Sequence, residues 1–208
     1  FTANPYNDPV LCPNGVPTAN AVESRDCDQQ AQAKVGGNAN LKPEKSKSFS
    51  LGTAFQPAKN LLFTVDYWNV SLNSKIGPFP EQTVFADPTK YADRFVRCGQ
   101  VSAAEAANLS RCDLAGSNAI AYITTLTDNL GNVRTDGLDF TAAWQTQTDL
   151  GRLTLNYDGT YVNSYKYQRE PGGAYIQNVG KYSDATPVFR WKHNVTTTLA
   201  KGNMRYNL

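Results

Sequence analysis

The sequence predicts an all-β protein, a segment of an antiparallel up-and-down transmembrane β-barrel with long extracellular loops that carry short helices. Three observations favour this partial barrel. Apolar and polar residues alternate along several stretches, as in strands that face lipid on one side and a polar lumen on the other. These stretches run about ten residues, longer than the roughly five or six of an average strand. Short turns also alternate with long connections, which places the long connections at one end of the barrel.

The first predicted hairpin shows the clearest alternation. A predicted turn at 56–60 joins its two strands, and Thr64 and Asp66 lie on the polar face of the second. The apolar stripe then moves to even-numbered positions at Trp68 and Leu72, which predicts a β-bulge near Tyr67. The apolar residues on the predicted lipid face are Phe49, Leu51, Phe55, Phe63, Val65 and Tyr67.

Further strands are predicted from alternation after residue 118. They span 120–127, 133–148, 153–161 and 189–199, with a last strand from Met204. We expect the stripe of Leu153, Leu155 and Tyr157 to share a surface with Phe189, Trp191 and Val195.

The alternation predicts where two groups of side chains lie, one facing the lumen and one at the membrane interface. Charged residues at inward-facing positions are interpreted as lumen-facing, because lumen walls are wet and polar; they are Asp66, Asp139, Asp158, Arg190 and Lys192. Aromatic residues that flank the apolar stripes are interpreted as an interfacial girdle; they are Tyr67, Trp68, Trp144, Tyr161 and Trp191.

The long connections fall at 1–40, 76–118 and 164–186. We interpret 1–40 as an extracellular loop and lead-in, and 41–208 as the partial barrel domain. Asp87-Pro88 predicts one short helix, since Pro is favoured at the first helical position. Ser102 and Glu105 form a capping-box pattern that predicts a second.

The four cysteines suggest an oxidising compartment. Spacing alone leaves three pairings open, but the loop context favours two local disulfides, Cys12 with Cys27 and Cys98 with Cys112. A metal site is disfavoured because no Cys-x-x-Cys occurs and His193 is the only histidine, for which we expect a structural role. No metal and no cofactor is therefore expected.

Composition and motifs exclude several function classes. The net charge is only +2, without a basic cluster, so nucleic acid is not an expected partner. No apolar run reaches the roughly 18 residues of a membrane helix, so strands must make any span. No nucleophile-elbow, Walker, dinucleotide-binding or zinc-protease motif is present, so we expect no catalytic residues.

A specific resemblance lies in Asn38-Ala39-Asn40-Leu41-Lys42-Pro43-Glu44-Lys45-Ser46. This segment, followed by Asp66-Tyr67-Trp68, resembles TonB-dependent outer-membrane receptors, in which such a segment leads into a barrel strand. Two later stretches are also similar to strands of that family, Thr135-Asp136-Gly137-Leu138-Asp139-Phe140 and Phe189-Arg190-Trp191-Lys192-His193-Asn194.

The resemblance implies a transporter of the bacterial outer membrane that takes up a scarce nutrient such as a siderophore, a vitamin or an oligosaccharide. It implies four partners: outer-membrane lipid, a plug domain of the same parent chain, the TonB complex and the transported ligand. The TonB box and the plug are not visible in the sequence, so we expect the chain to be an internal, C-terminal-half piece of a longer receptor.

Ligand contacts are expected in the long loops 76–118 and 164–186. The second loop holds aromatic and hydrogen-bonding side chains suited to polar ligands; they are Tyr165, Tyr167, Arg169, Tyr175 and Gln177. Two other hypotheses remain at this point. One is a secreted β-sandwich module that binds carbohydrate or protein, and the weaker one is a secreted hydrolase.

Overall fold

The computed structural model describes residues 4–112, 117–183 and 186–208. The remaining parts of the predicted loops, 1–3, 113–116 and 184–185, lie outside the described residues. The chain forms two compact units. We call Pro43–Lys75 with Gly131–Leu208 the sheet unit, and Phe1–Lys42 with Ile76–Leu130 the loop unit.

The described elements are mostly strands. The strands are β1 (Ala33–Lys34), β2 (Lys45–Ala58), β3 (Leu61–Asn73), β4 (Ile76–Pro78), β5 (Phe95–Arg97), β6 (Ile120–Thr124), β7 (Thr127–Asn129), β8 (Val133–Thr148), β9 (Gly151–Tyr167), β10 (Ile176–Gln177), β11 (Tyr182–Ser183), β12 (Thr186–Pro187), β13 (Trp191–Lys201) and β14 (Met204–Asn207). The α-helices are α1 (Glu23–Asp26), α2 (Glu81–Ala86) and α3 (Ala103–Ala106), and short 3₁₀ turns lie at Pro13–Gly15, Ala92–Arg94 and Cys98–Gln100. Among the described residues, no helix has the length and apolarity needed to cross a membrane.

The sheet unit is one antiparallel sheet with strand order β14-β13-β9-β8-β3-β2, and β10 pairs with β9. Two-residue turns at 59–60, 149–150 and 202–203 join its neighbouring strands at one end. The connections 74–132 and 168–190 both leave from the other end. The sheet does not close on itself within the described residues. The predicted fold, an antiparallel up-and-down partial barrel with short turns at one end, is confirmed.

The apolar face of this sheet is uncovered. Leu51 is 68% exposed and Val195 is 62% exposed, although both belong to the alternating apolar stripe. Tyr157 pairs directly with Val195, and Tyr161 pairs with Trp191, so the predicted common surface exists. Phe189 precedes β13 and is exposed. The sandwich hypothesis needs these side chains between two packed sheets, and it has no support in the described residues.

The predicted bulge near Tyr67 is wrong. Pairing of β3 with β8 is regular from Leu61 opposite Trp144 to Leu72 opposite Val133. The apolar stripe changes face without a bulge because Trp68 packs opposite Gly137, where no side chain competes for space. Register shifts occur elsewhere, between Phe55 and Ala58 and between Asp136 and Gly137. The first lies beside Pro57, which cannot donate to a ladder.

The loop unit has a hydrophobic core of its own. Strand β6 lies between β1, which it pairs in parallel, and β5, which it pairs antiparallel. Residues Ile120 to Ile123 are buried on both faces of β6. The main core cluster contains Ala31, Phe79, Val84, Tyr91, Phe95, Ile120, Ile123 and Leu130. The prediction that 120–127 continues the barrel alternation is therefore wrong, because this segment is a core strand of the loop unit.

One of the two predicted helices exists. Ser102 Oγ accepts a hydrogen bond of 3.2 Å from the Glu105 N–H and begins α3, as the capping pattern predicted. The helix predicted after Asp87-Pro88 is wrong. Asp87 Oδ1 instead accepts a bond of 3.0 Å from the Lys90 N–H in a turn, and Phe95, which is buried, starts the short strand β5 that pairs with β6. Burial of Phe95 outweighs the local helix signal.

Both predicted disulfides are confirmed. Cys12 is bonded to Cys27, and Cys98 to Cys112, with Cα atoms 5.5 Å and 5.3 Å apart. Each disulfide closes a loop within its own segment of the loop unit.

Candidate functional site

The predicted charged residues lie in two neighbouring rows across the sheet, on what we call the polar face. The first row consists of Gly52, Asp66, Asp139, Thr160 and Lys192. The second row consists of Ala54, Thr64, Thr141, Asp158 and Asn194. Four of the five predicted charged side chains therefore share one face, although they are far apart in sequence.

Hydrogen bonds link side chains along these rows. The hydroxyls of Thr64 and Thr141 are 2.6 Å apart, and Thr160 Oγ1 donates to Asp139 Oδ1 at 2.7 Å. Asp66 leans over Gly52, where an added Cβ would lie 1.7 Å from Asp66 Oδ1. Asp66 is also directly opposite Asp139, an arrangement of like charges that disfavours strand pairing. The rows thus present carboxylate and hydroxyl acceptors suited to cationic or donor groups.

Arg190 is placed differently from the other four charged residues. It precedes β13, and its Nη1 donates to the Tyr161 hydroxyl at 3.2 Å and to the Asn163 carbonyl at 3.5 Å. Its guanidinium also lies 5.8 Å from the centre of the Tyr161 ring. These contacts bring the charge to the end of an aromatic cluster and away from the two rows.

That aromatic cluster lies on the apolar face. Tyr161 and Trp191 have ring centroids 4.6 Å apart, and His193 stacks on Trp191 at 5.6 Å. The Tyr157 hydroxyl and His193 Nδ1 are 2.8 Å apart, which gives His193 the structural environment expected for it. Trp144 lies on the same face nearer the short turns, paired with Leu155.

Trp68 does not belong to this girdle, contrary to the prediction. It is an even-numbered residue of β3 and so lies on the polar face with Asp66. The sequence places it beside Tyr67, which does lie on the apolar face. Neighbouring residues in a strand point to opposite faces, so both could not belong to one girdle.

The connection after β9 folds back on the sheet. Strand β10 pairs with the end of β9, with Ile176 opposite Tyr167 and Gln177 opposite Lys166. Gln177 Oε1 accepts from the Tyr165 N–H at 3.0 Å, and its Nε2 donates to Ser164 Oγ at 3.4 Å. The predicted ligand residue Gln177 thus holds this connection to β9.

The other predicted ligand residues lie close by. Tyr165 and Tyr167 have ring centroids 6.3 Å apart, and the Arg134 guanidinium lies 4.8 Å from the centre of the Tyr175 ring. Tyr175 and Arg169 are half-buried. The structure thus gathers these side chains at the end of the sheet from which the long connections leave, and their role in ligand binding stays a prediction.

The sequence did not predict the hydrogen bonds of the Gln168 side chain, which fix the base of this connection. Gln168 Oε1 accepts from the Asn132 N–H at 2.9 Å, while its Nε2 donates to the Gly173 carbonyl. A Cβ on Gly131 would lie only 2.2 Å from the Gln168 Cβ, so the close approach needs glycine at 131. No local pattern connects residues so far apart in sequence.

A buried ion pair was also missed in the loop unit. Asp8 is 3% exposed, and its carboxylate accepts hydrogen bonds from Arg97 Nη1 and from the N–H groups of Val10 and Leu11. The two charged residues are 89 positions apart, one in each segment of the unit. This pair therefore ties the two segments together.

Asp26 forms a second buried charged site nearby in the same unit. Burial by itself would raise the pKa of the Asp26 carboxyl, but hydrogen bonds from the Arg25 guanidinium and the Val22 N–H outweigh burial and hold it below its ordinary value. Burial lowers the pKa of Arg111, and the Asp26 and Asp8 carboxylates oppose that change. Arg111 Nη2 also donates to the Gln30 carbonyl at 2.8 Å, a further link between the segments.

Within the described ranges, no group of three or more His, Cys, Asp or Glu side chains is arranged to hold a metal ion. The described site offers acceptor rows, an exposed apolar face and a braced loop end.

Comparison with protein families gave one match. The model of a family described as "TonB dependent receptor-like, beta-barrel" matches residues 5–207, nearly the whole chain. Searches among curated proteins and among solved structures each gave no significant match. The chain therefore belongs to the TonB-dependent receptor β-barrel family, whose members are transporters of the bacterial outer membrane.

Proposed function

We propose that this chain is part of the barrel wall and the extracellular loops of a receptor that imports a scarce nutrient. The candidates are a ferric siderophore, a vitamin or an oligosaccharide. Its partners would be outer-membrane lipid on the apolar face, a plug domain of the same parent chain on the polar face, and the TonB complex acting through the parent protein.

The exposed apolar face is the observation that carries this proposal. From Tyr161 to Leu153, the apolar stripe of β9 extends over eight residue-to-residue steps, about 26 Å along the strand. With the usual strand tilt this corresponds to about 20 Å across a membrane, comparable with the roughly 25 Å apolar band of outer-membrane barrels. Exposure of so much apolar surface is unfavourable in water and favourable against lipid.

The polar face supports contact with a plug. In this role Asp66, Asp139 and Asp158 accept hydrogen bonds or pair with basic groups of the plug. A basic group of the plug beside Asp66 and Asp139 would remove the repulsion between these two like charges. That relief would add to the stability of the contact between plug and barrel.

Ligand recognition is assigned to the connection between β9 and β13. Its tip, 169–175, follows Gln168, whose side chain bonds to both Asn132 and the Gly173 carbonyl and so holds the tip at the end of the sheet. Tyr165 and Tyr167 supply ring faces and donors for a polar ligand, and the Arg134 guanidinium over the Tyr175 ring lies nearby.

Uptake by cells tests the proposal. The full-length receptor is expressed in cells that lack it, and uptake of a labelled ferric siderophore, cobalamin and maltohexaose is measured with and without the proton-motive force. We expect energy-dependent uptake of one of these nutrients. Replacement of 169–175 by Gly and Ser residues should lower that uptake at least tenfold.

The matched control replaces the turn Asp149-Leu150, at the opposite end of the sheet, by Asn-Gly. This variant should transport normally, and both variants should keep the heat-modifiable gel mobility of a folded barrel. If receptor-dependent uptake is absent for all three nutrients, the transport proposal is wrong. If uptake survives the 169–175 replacement, the loop assignment is wrong.

A further inference from the structure

The loop unit contains a cleft of about 440 Å³ that the family assignment does not explain. This volume falls within the roughly 300–1,000 Å³ of small-molecule sites. Its lining includes four prolines, the side chains of Tyr6 and Phe85, and two asparagines, Asn7 and Asn14. All of the lining residues belong to the loop unit.

We propose that this cleft binds a neutral saccharide. This inference rests on the proposed transport function and names a substrate class for it. Three properties of the lining support this proposal: its charge, its ring surfaces and its hydrogen-bonding groups.

No lining residue of the cleft carries a formal charge. A charged ligand would lose hydration on entering and gain no counter-charge, which is costly. A neutral ligand avoids that cost. Ferric catecholates, phosphates and acidic sugars are therefore disfavoured in this cleft.

Flat ring surfaces make up much of the lining. Tyr6 and Phe85 stack in parallel with centroids 4.0 Å apart, and Phe85 packs edge-on against Phe95 of the buried core. The aromatic pair is thus anchored to the core of the loop unit. Ring faces of this kind, with the four proline rings, offer apolar surface to the C–H face of a sugar ring.

The two asparagines offer hydrogen-bonding groups for hydroxyls. Asn7 Oδ1 accepts from the Asp28 N–H at 2.8 Å, which fixes the carboxamide and leaves its Nδ2 as a donor. In the part of the chain that the structure describes, the Asn14 carboxamide has no hydrogen-bond partner. Together the two groups supply donors and an acceptor beside the rings.

The lining is held rigidly before any ligand arrives. Tyr6 and Gln29 exchange two backbone hydrogen bonds of 2.9 Å and 3.0 Å, and Cys12 in the lining is bonded to Cys27. Asp8, between the lining residues Asn7 and Pro9, is fixed by Arg97. A preformed site has less conformational entropy to lose on binding.

Calorimetric titration of the full-length receptor in detergent tests this inference. The probes are maltohexaose, cellohexaose and xylohexaose, with trigalacturonate as the anionic comparator. We expect at least one neutral hexasaccharide to bind more tightly than trigalacturonate. Ala86→Trp fills the cleft and should weaken that binding at least tenfold, and Asn14→Gly should weaken it without changing the left-handed backbone at φ +55°.

Ala104→Trp is the matched control, because Ala104 is exposed on α3 of the same unit and does not line the cleft. It should bind as the unmodified receptor does. Absence of binding by all three neutral probes, tighter binding of trigalacturonate, or unchanged binding by both cleft variants would overturn the inference. Energy-dependent nutrient uptake in the same cells would then still support transport, so the two failures are distinguishable.

Discussion

The indole of Trp68 occupies the space that a side chain at Gly137 would need. The two residues are paired across β3 and β8, and a Cβ on Gly137 would lie 2.5 Å from Trp68 Cζ2 and 2.4 Å from the Tyr161 carbonyl oxygen. This pair explains how a large apolar residue is accommodated on the polar face.

Gly137→Ala should therefore destabilise the sheet unit. Neither the indole nor the Tyr161 backbone can move far, so we expect a cost of about 1–3 kcal/mol, typical of overpacking. Heat-modifiable gel mobility and urea unfolding in detergent measure it. Gly52→Ala is the control, since the flexible Asp66 carboxylate over Gly52 can rotate away, and its effect should be smaller. An equal effect of the two substitutions would contradict the assigned role of Trp68.

Asp8→Asn should loosen the loop unit. It leaves the Arg97 guanidinium without its counter-charge, and removal of one partner of a buried ion pair costs about 3 kcal/mol. Hydrogen exchange of 4–42 and trypsin cleavage at Lys34 should both become faster. Glu105→Gln is a matched control, because its pair with Lys34 is exposed, with N and O atoms 3.6 Å apart, and little change is expected. Unchanged exchange in Asp8→Asn would show that the pair does not hold the segments together.

Acidification should destabilise the loop unit through Asp26. The pKa of the folded Asp26 carboxyl lies below the ordinary value of an aspartate, so the carboxylate contributes its full stability above that ordinary value. This contribution is lost as pH falls through the lowered folded pKa. Hydrogen exchange of 19–30 should accelerate below about pH 4, and Asp26→Asn should make this dependence flatter. Identical pH profiles for the two proteins would exclude Asp26 as the titrating group.

Loss of the Cys98–Cys112 disulfide should destabilise the loop unit by about 3 kcal/mol, the entropic estimate for a closed loop of about 15 residues. The double variant Cys98→Ser with Cys112→Ser should show faster exchange in 95–112 than the unmodified protein. Exchange in β8 and β9 should stay unchanged, since the cysteines belong to a separate compact unit. Faster exchange throughout β9 would show that the units are coupled.

Much of the sheet unit could be predicted from the sequence because alternation is a local signal. The alternation from Phe49 to Phe55 and from Leu153 to Tyr161 shows which residues share a face of the strand, without knowledge of the partner strand. The short turns and the cysteine pairs are local as well. The same two-residue alternation predicts the face of the sheet on which four charged residues lie, namely Asp66, Asp139, Asp158 and Lys192.

The loop unit could not be predicted in this way. The run from Ile120 to Ile123 is apolar at successive positions, and a short apolar run does not reveal which sheet it joins. Asp8 with Arg97, and Gln168 with Asn132, join residues far apart in sequence, and a single sequence does not indicate such pairs. Asp87-Pro88 predicted a helix because the local cap was considered without the burial of Phe95.

The placement of the two disulfides has a consequence for biogenesis. Neither disulfide joins 1–42 to 76–130; the described links between these segments are noncovalent and include β1 with β6, Asp8 with Arg97, and Arg111 with Gln30. Each segment can therefore complete its own oxidation as it emerges into an oxidising compartment, with no need to wait for the other. The noncovalent contacts between the two segments can form only after the intervening hairpin of β2 and β3 has entered the same compartment. Neither disulfide thus depends on the assembly of the two segments.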